Sequence, residues 1–174
     1  MNDQDLSLVL DWRNQENVRK YMYTNHIISK SEHEAWWESI KSRNDIIPLI
    51  FEFESQPNAF VSFSDITRSN QNASWAFYLS PSAKRGIGSL VEFFAIKYAF
   101  ENLKLHKLKC EVLETNSSVI KLHKKFGFIE EGVFREEHRI EGRYIDIFRL
   151  GLLKLEWYQT SEKLHQKLIK IWKL

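Results

Sequence analysis

The sequence contains one cysteine, Cys110, three prolines and no long apolar run. One cysteine excludes an intramolecular disulfide and is typical of a reducing compartment, so we expect a cytoplasmic location. The longest apolar stretches fall well short of the roughly 20 residues that span a bilayer, and the N-terminus lacks the pattern of a secretory signal. The net charge of +2 is too small to predict nucleic-acid binding. We therefore expect neither a membrane nor a nucleic acid as a partner, and no metal.

The 174 residues fit one domain, residues 1–174, and a hydrophobic content of 43% indicates a packed core. Short helices come first, then neighbouring strands, then strands alternating with helices, which predicts an α/β (α+β) mixed sheet. Predicted strands cover residues 46–53, 58–66, 73–79, 107–113, 129–135 and 143–153. Predicted helices cover residues 6–12, 16–23, 31–43, 88–103, 117–126 and about 154–172, the third of them opening at a capping box that begins with Ser31.

A basic, glycine-containing turn links the strand Trp75–Leu79 to a long amphipathic helix. Unpaired amides and the positive end of the helix dipole make such a turn an anion cradle, and its glycines allow close approach of the ligand. An ordinary strand-to-helix turn would have a similar sequence, so the pattern by itself leaves both interpretations open. The turn consists of Lys84, Arg85, Gly86, Ile87, Gly88 and Ser89.

A second strand, 107–113, leads through Asn116 into a helix that Gly127 ends. With the glycine turn, this order closely resembles the GNAT superfamily of acyl-CoA N-acyltransferases. The resemblance implies a central, mostly antiparallel twisted sheet flanked by helices, and acetyl-CoA as co-substrate. It implies that the glycine turn holds the coenzyme A pyrophosphate and that Asn116 lies near the pantetheine. It also implies a bulge in the strand of Phe77 and Leu79, whose backbone groups bind the pantetheine arm and polarise the thioester.

The chain departs from the family in two places. Ala83 stands where the glutamine or arginine that opens the family's glycine motif is expected, although Lys84 and Arg85 can supply positive charge. The strand that opens the family's fold is not recognisable before the first helix.

The N-terminal third resembles the acetyltransferases of pseudaminic acid biosynthesis, which acetylate the 4-amino group of a UDP-linked 4-amino-4,6-dideoxy sugar. A UDP group needs cations and neutral donors for its phosphates and an aromatic or amide partner for uracil. The resemblance implies that the nucleotide contacts are Arg13, His33, Thr67, Arg68 and Tyr78, and that the deoxysugar packs against Met22, Tyr23 and Trp36. Each residue considered by itself also fits a structural role: Arg13 can form an ion pair at the surface, and Met22 and Trp36 can be core residues.

The reaction needs a base for the amine proton, donors for the tetrahedral oxyanion and an acid for the leaving thiolate. Glu111 matches the family's carboxylate base, with Glu114 as its nearest competitor on the opposite face of the strand. Backbone groups around Phe77 and Tyr78 can bind the oxyanion. His123 stands where the family usually has a tyrosine that donates to the coenzyme A sulfur, and we expect nearby lysines to depress its pKa. It can instead be packing, with water or Tyr78 serving the thiolate.

Two other classes stay open at this point. One is acetylation of protein N-termini, as in the enzymes of ribosomal proteins, or of polyamines on the same fold. The other is a catalytically idle acyl-CoA-binding module. The oligomeric state is also open, a homodimer included.

Overall fold

The computed structural model describes residues 1–173, which form one six-stranded sheet and its flanking helices. The strands are β1 (Ile47–Phe53), β2 (Gln56–Thr67), β3 (Asn72–Leu79), β4 (Lys107–Leu113), β5 (Ile129–Ile140) and β6 (Arg143–Leu153). The helices are α1 (Leu6–Arg13), α2 (Glu16–Arg19), α3 (Lys30–Ile40), α4 (Ile87–Glu101), α5 (Ser117–Lys125) and α6 (Lys154–Trp172), and a short 3-10 turn, Asp3–Asp5, precedes α1.

The sheet has the order β1-β2-β3-β4-β6-β5, and all its strand pairs are antiparallel except β3 with β4. The mixed α/β sheet predicted from the sequence is therefore confirmed. The parallel pairing of β3 with β4 covers only Asn72–Ser74 against residues 107–109, and within residues 1–173 no pairing follows. Beyond Ser74 and Lys109 the two central strands are unpaired with each other, so the sheet opens into a gap.

The pairing of β3 with β2 is regular from Ser74 to Leu79. The bulge expected around Phe77 and Tyr78 is therefore absent, and this expectation is wrong. The irregularity lies instead in β2, between Ser64 and Thr67, where Asp65 has a φ of +51°. The β3 backbone that faces the gap is available because β4 has diverged from it.

The two faces of the sheet carry different helices. On one face α4, α5 and α6 pack over a continuous apolar core that includes Phe63, Leu108 and Trp157. On the other face α1 packs Val9 and Trp12 against Phe60 of β2. No helix within residues 1–173 is both long and apolar enough to cross a membrane.

Local details differ from the sequence predictions in several places. The helix α2 ends at Arg19, four residues before its predicted end, and α3 ends at Ile40, three residues before its predicted end. Ser29, not Ser31, caps α3, since its hydroxyl accepts a hydrogen bond from the Glu32 amide. The turn between β1 and β2 contains only two residues, Glu54 and Ser55. Strand β5 continues to Ile140, five residues past its predicted end, because it pairs with β6 along its length.

Candidate active site

A cavity of about 540 Å³ occupies the gap between β3 and β4. Its wall is completed by the N-terminus of α4, by α5 and by the segment that follows α2. The main-chain donors of β3 that point away from β2 face this gap and can bind a carbonyl oxygen. The cavity brings together the predicted residues Met22, Tyr23, Phe77, Tyr78, Leu79, Gly86, Gly88, Ser89, Glu111, Asn116 and His123.

The glycine turn opens α4, and Gly86 adopts the left-handed conformation at φ +92°. Two of its amides are used internally, since Ile87 donates to the Lys84 carbonyl and Ser89 to that of Gly86, each at 3.0 Å. The amides of Arg85, Gly86 and Gly88 have no backbone partner within residues 1–173. These three form the available anion cradle. The predicted contributions of the Ile87 and Ser89 amides to the cradle are not supported, because both amides already donate within the turn and Ile87 is fully buried.

The two basic residues of the turn differ in their surroundings. Lys84 forms an ion pair with Glu54 and lies over the Phe53 ring, 5.8 Å from its centroid. Neither Lys84 nor Arg85 lines the main cavity. Arg85 is exposed and has no ion-pair partner in the part of the chain that the structure describes. Arg85 is therefore the cation that can add to the amide cradle.

Replacing Gly86 by valine is expected to weaken acetyl-CoA binding at least tenfold, or ~1.4 kcal/mol. A side chain there is strained at positive φ, and its Cβ would lie 3.6 Å from the Trp172 ring, so a branched side chain would distort the turn whose amides form the cradle. Calorimetric titration with coenzyme A measures the effect. The matched control is Gly142→Val, since Gly142 has a φ of +85° with no atom within 4 Å of its Cβ position. Equal coenzyme affinity in both folded variants would contradict the cradle.

Glu111 lies on β4 at the cavity wall and is held by two donors. The Tyr23 hydroxyl donates to Oε2 at 2.9 Å, and the Arg149 guanidinium donates to Oε1 at 2.6 Å. Burial, followed by the bond to Glu111, raises the pKa of Tyr23, so this phenol stays protonated and donates. Sequence reasoning missed Arg149, which is the cross-strand partner of Glu111 on β6. Only the strand register reveals that pairing.

His123 is buried beside the cavity, and its Nδ1 lies 2.7 Å from Oε1 of Glu92, which is completely buried. Burial alone lowers the pKa of His123, but the charge of Glu92 and hydrogen bonds with Cys110 and Glu92 raise it to about 10. The expectation that lysines depress this pKa is therefore wrong, because Lys121, Lys124 and Lys125 are exposed to solvent. Sequence reasoning missed Glu92, although a carboxylate within an apolar helix was a visible signal.

A second group of predicted residues lies between α1, α3 and the sheet. His33 stacks on Trp36, with 4.9 Å between ring centroids, and Phe60 connects Trp36 to Tyr78, which lines the cavity. The Arg13 guanidinium donates through Nη2 to the Thr24 carbonyl at 2.6 Å. Nη1 of Arg13 and Nε2 of His33 are buried without a partner in the described residues. Burial lowers the pKa of His33 and raises that of Tyr78.

Thr67 and Arg68 do not join this group. Phe60 pairs with Tyr78 at one end of β2, whereas Thr67 pairs with Asn72 at the other. Seven residues of strand separate Phe60 from Thr67, a span of about 20 Å. The prediction that Thr67 and Arg68 share a nucleotide site with Arg13 is therefore not supported by the fold.

Comparison with known proteins agrees with this geometry. The model of the family described as acetyltransferase (GNAT) domain matches residues 1–129. Acetyltransferase PseH of Campylobacter jejuni is 28% identical over 128 residues, covering 74% of this chain and 79% of that protein. Spermidine N(1)-acetyltransferase of Vibrio cholerae is 27% identical over 161 residues, covering 91% and 92%. The crystal structure of spermidine N-acetyltransferase from Vibrio cholerae with CoA and spermine superposes with a TM-score of 0.84 at 24% identity, covering 91% of this chain and 95% of that one.

Proposed function

We propose, from the premise that this chain belongs to the acetyltransferase (GNAT) domain family and is an acetyl-CoA-dependent N-acetyltransferase, that its acceptor is a nucleotide-linked amino sugar. The specific acceptor proposed is the 4-amino group of a UDP-linked 4-amino-4,6-dideoxy-N-acetylhexosamine of pseudaminic acid biosynthesis. That the protein assembles as a homodimer stays a prediction.

The observation that carries this proposal is the pair of unpartnered nitrogens of Arg13 and His33. A buried donor without a partner costs about 1–3 kcal/mol, and a ligand that supplies acceptors would recover that cost. Trp36 stacks on the His33 ring, and Tyr78 is close enough to influence the pKa of Arg13, so two aromatic side chains belong to the same region. One cation, one neutral imidazole and aromatic rings form a donor set suited to a nucleoside diphosphate.

The charges of the cavity support a neutral or anionic acceptor over a polycation. Glu111 is the one carboxylate among the described residues that line it, and Arg149 already balances its charge. A polyamine carries several positive charges and would need further carboxylates to replace its lost hydration. The apolar side of Met22 offers a surface for the methyl group of a 6-deoxysugar.

The proposed mechanism uses the residues in the cavity. The amides of Arg85, Gly86 and Gly88 would hold the pyrophosphate of acetyl-CoA. Glu111 would take the amine proton, directly or through water, while the amine attacks the thioester carbonyl. Backbone donors of β3 would stabilise the oxyanion, and His123 would protonate the departing thiolate.

Polyamine acetylation is the second candidate. The spermidine acetyltransferase of Vibrio cholerae matches more of this chain than PseH does, 91% against 74%. Glu137 of β5 is also close enough to influence the pKa of Tyr23, so a second carboxylate lies near the cavity mouth.

The experiment is a thiol-release assay with acetyl-CoA and three acceptors: the UDP-amino sugar, spermidine and a peptide with a free N-terminus. We expect kcat/KM for the sugar to exceed that for the other two at least 100-fold, and UDP to compete with the sugar but not with acetyl-CoA. Preferred turnover of spermidine or of the peptide would overturn the sugar assignment. Coenzyme binding without turnover of any amine would support an idle binding module.

A further inference from the structure

The polar contact between Glu92 and His123 is isolated inside the core. Glu92 lies on α4 with no exposed surface, and its Oε1 lies 2.7 Å from Nδ1 of His123. Its other oxygen, Oε2, has no partner among the described residues. The stabilisation that offsets the burial of this carboxyl therefore comes from His123. Such a contact is costly to bury, so its presence beneath the cavity needs an explanation.

The imidazole is fixed by its neighbours. Trp75, Phe77 and Phe128 surround the ring, with centroid distances of 5.3, 6.4 and 5.2 Å. Because Glu92 occupies the Nδ1 side, Nε2 is the ring nitrogen that remains on the side of the cavity, which is lined both by His123 and by its hydrogen-bond partner Cys110. A histidine whose second nitrogen is fixed by a carboxylate has a defined tautomer and orientation.

We propose that Glu92 is a positioning residue for acetyl transfer: its carboxyl group holds the Nδ1 side of His123, so that Nε2–H is presented to the leaving sulfur of coenzyme A. When the tetrahedral intermediate collapses, the carbon–sulfur bond breaks and its electron pair stays on sulfur. The Nε2 proton moves to that sulfur and gives the free thiol. His123 then keeps its Nδ1 hydrogen toward Glu92 and regains the Nε2 proton from solvent.

The electrostatic surroundings agree with this role. The groups that face the imidazole are Glu92 from α4 and the Cys110 thiol from β4, while β3 contributes only aromatic rings. The lysines of α5 are exposed, and Lys124 pairs with Glu130 at 2.8 Å. Burial raises the pKa of Glu92, and the charge of Glu92 holds the pKa of His123 above its ordinary value, so the imidazole keeps its proton to a higher pH than a free histidine would. Glu92 thus lets a histidine replace the tyrosine that the family resemblance implies at this position.

The first test needs no substitution in the protein under study. The chain has six histidines, so nitrogen NMR with labelled histidine is tractable, and the missing signal in His123→Tyr gives the assignment. We expect Nε2 of His123 to keep its hydrogen from pH 6 to pH 9. Loss of that hydrogen near pH 6.5 would overturn the proposal.

The second test is kinetic. In Glu92→Gln, His123 is buried without a charged partner, and this lowers its pKa. The loss of kcat relative to the unmodified enzyme should therefore grow as pH rises. We expect kcat to lie within about threefold of the unmodified enzyme at pH 6 and at least tenfold below it at pH 8.5. Adding His123→Tyr to Glu92→Gln should raise kcat at pH 8.5 at least threefold, because a phenol carries its own proton. No rise in the double variant would assign Glu92 a structural role only.

A control separates this effect from loss of stability. Phe93 is next to Glu92 on α4 but packs against Trp157 and His165 of α6, away from the cavity. Phe93→Leu should lower Tm and leave the pH profile of kcat unchanged. The inference rests on the proposed function only in requiring an acetyl-CoA reaction. If the sugar fails as acceptor, both kinetic tests use the amine that is turned over, and the NMR result is independent of it.

Discussion

Replacing Glu111 by glutamine is expected to lower kcat about 10²–10⁴-fold, the usual cost of losing a general base. Glutamine keeps the shape of the side chain: its carbonyl oxygen can accept from Arg149 and its amide nitrogen can donate to the Tyr23 hydroxyl oxygen, but it cannot take up a proton. The deficit should shrink as pH rises from 6 to 9, because more of the acceptor amine is then already neutral. Steady-state rates at saturating acetyl-CoA across that pH range measure the decrease in kcat.

Glu114→Gln is the matched control for this prediction. Glu114 lies three residues farther along the same segment and is exposed outside the cavity lining. Its replacement should change kcat less than twofold. A fully active Glu111→Gln, or an equally impaired Glu114→Gln, would place the base elsewhere.

Replacing Arg13 by methionine is expected to raise KM for the UDP-amino sugar about 10–150-fold. Loss of a charge-assisted hydrogen bond costs about 1.5–3 kcal/mol, and methionine retains most of the apolar stem. The KM for acetyl-CoA should move less than twofold, because Arg13 lies outside the glycine turn. Initial rates with each substrate varied in turn separate the two effects.

Arg68→Met removes the same charge at the far end of β2. Because the strand carries Arg68 about 20 Å from the Phe60–Tyr78 pair, this substitution should leave KM for the sugar unchanged. If Arg68→Met raised that KM and Arg13→Met did not, the nucleotide would lie at the other end of the β2–β3 hairpin.

The parts of this site that follow from the sequence depend on neighbours along the chain. The glycine turn needs only a strand, a positive φ at Gly86 and a helix start, and all three lie between Leu79 and Ile87. The side chains of β4 alternate between the two faces of the strand, which separates Glu111 from the core residues Cys110 and Val112. Periodicity and local backbone preference were enough for these predictions.

The remaining parts depend on contacts that chain order does not determine. Arg149 meets Glu111 only because β6 lies beside β4 in one particular register. Glu92 meets His123 across 31 residues, where α4 and α5 share one face of the sheet. The prediction that Arg68 joins the nucleotide site lacks support for the same reason, since Arg68 follows the end of β2 and its distance from Tyr78 is set only once Phe60 is paired with Tyr78. Side-chain partners of this kind are fixed by packing, which a single sequence leaves undetermined.

The contact between Glu92 and His123 has a consequence for how this enzyme can diverge. A tyrosine at position 123 would leave Glu92 buried without the imidazole that compensates it, and a histidine without Glu92 would lose its proton near neutral pH. Each single substitution therefore gives a variant that either buries an uncompensated carboxyl group or lacks a proton donor at neutral pH. The two substitutions together retain a proton donor. We expect descendants of this chain to inherit positions 92 and 123 as one unit, either as glutamate with histidine or as an apolar residue with tyrosine.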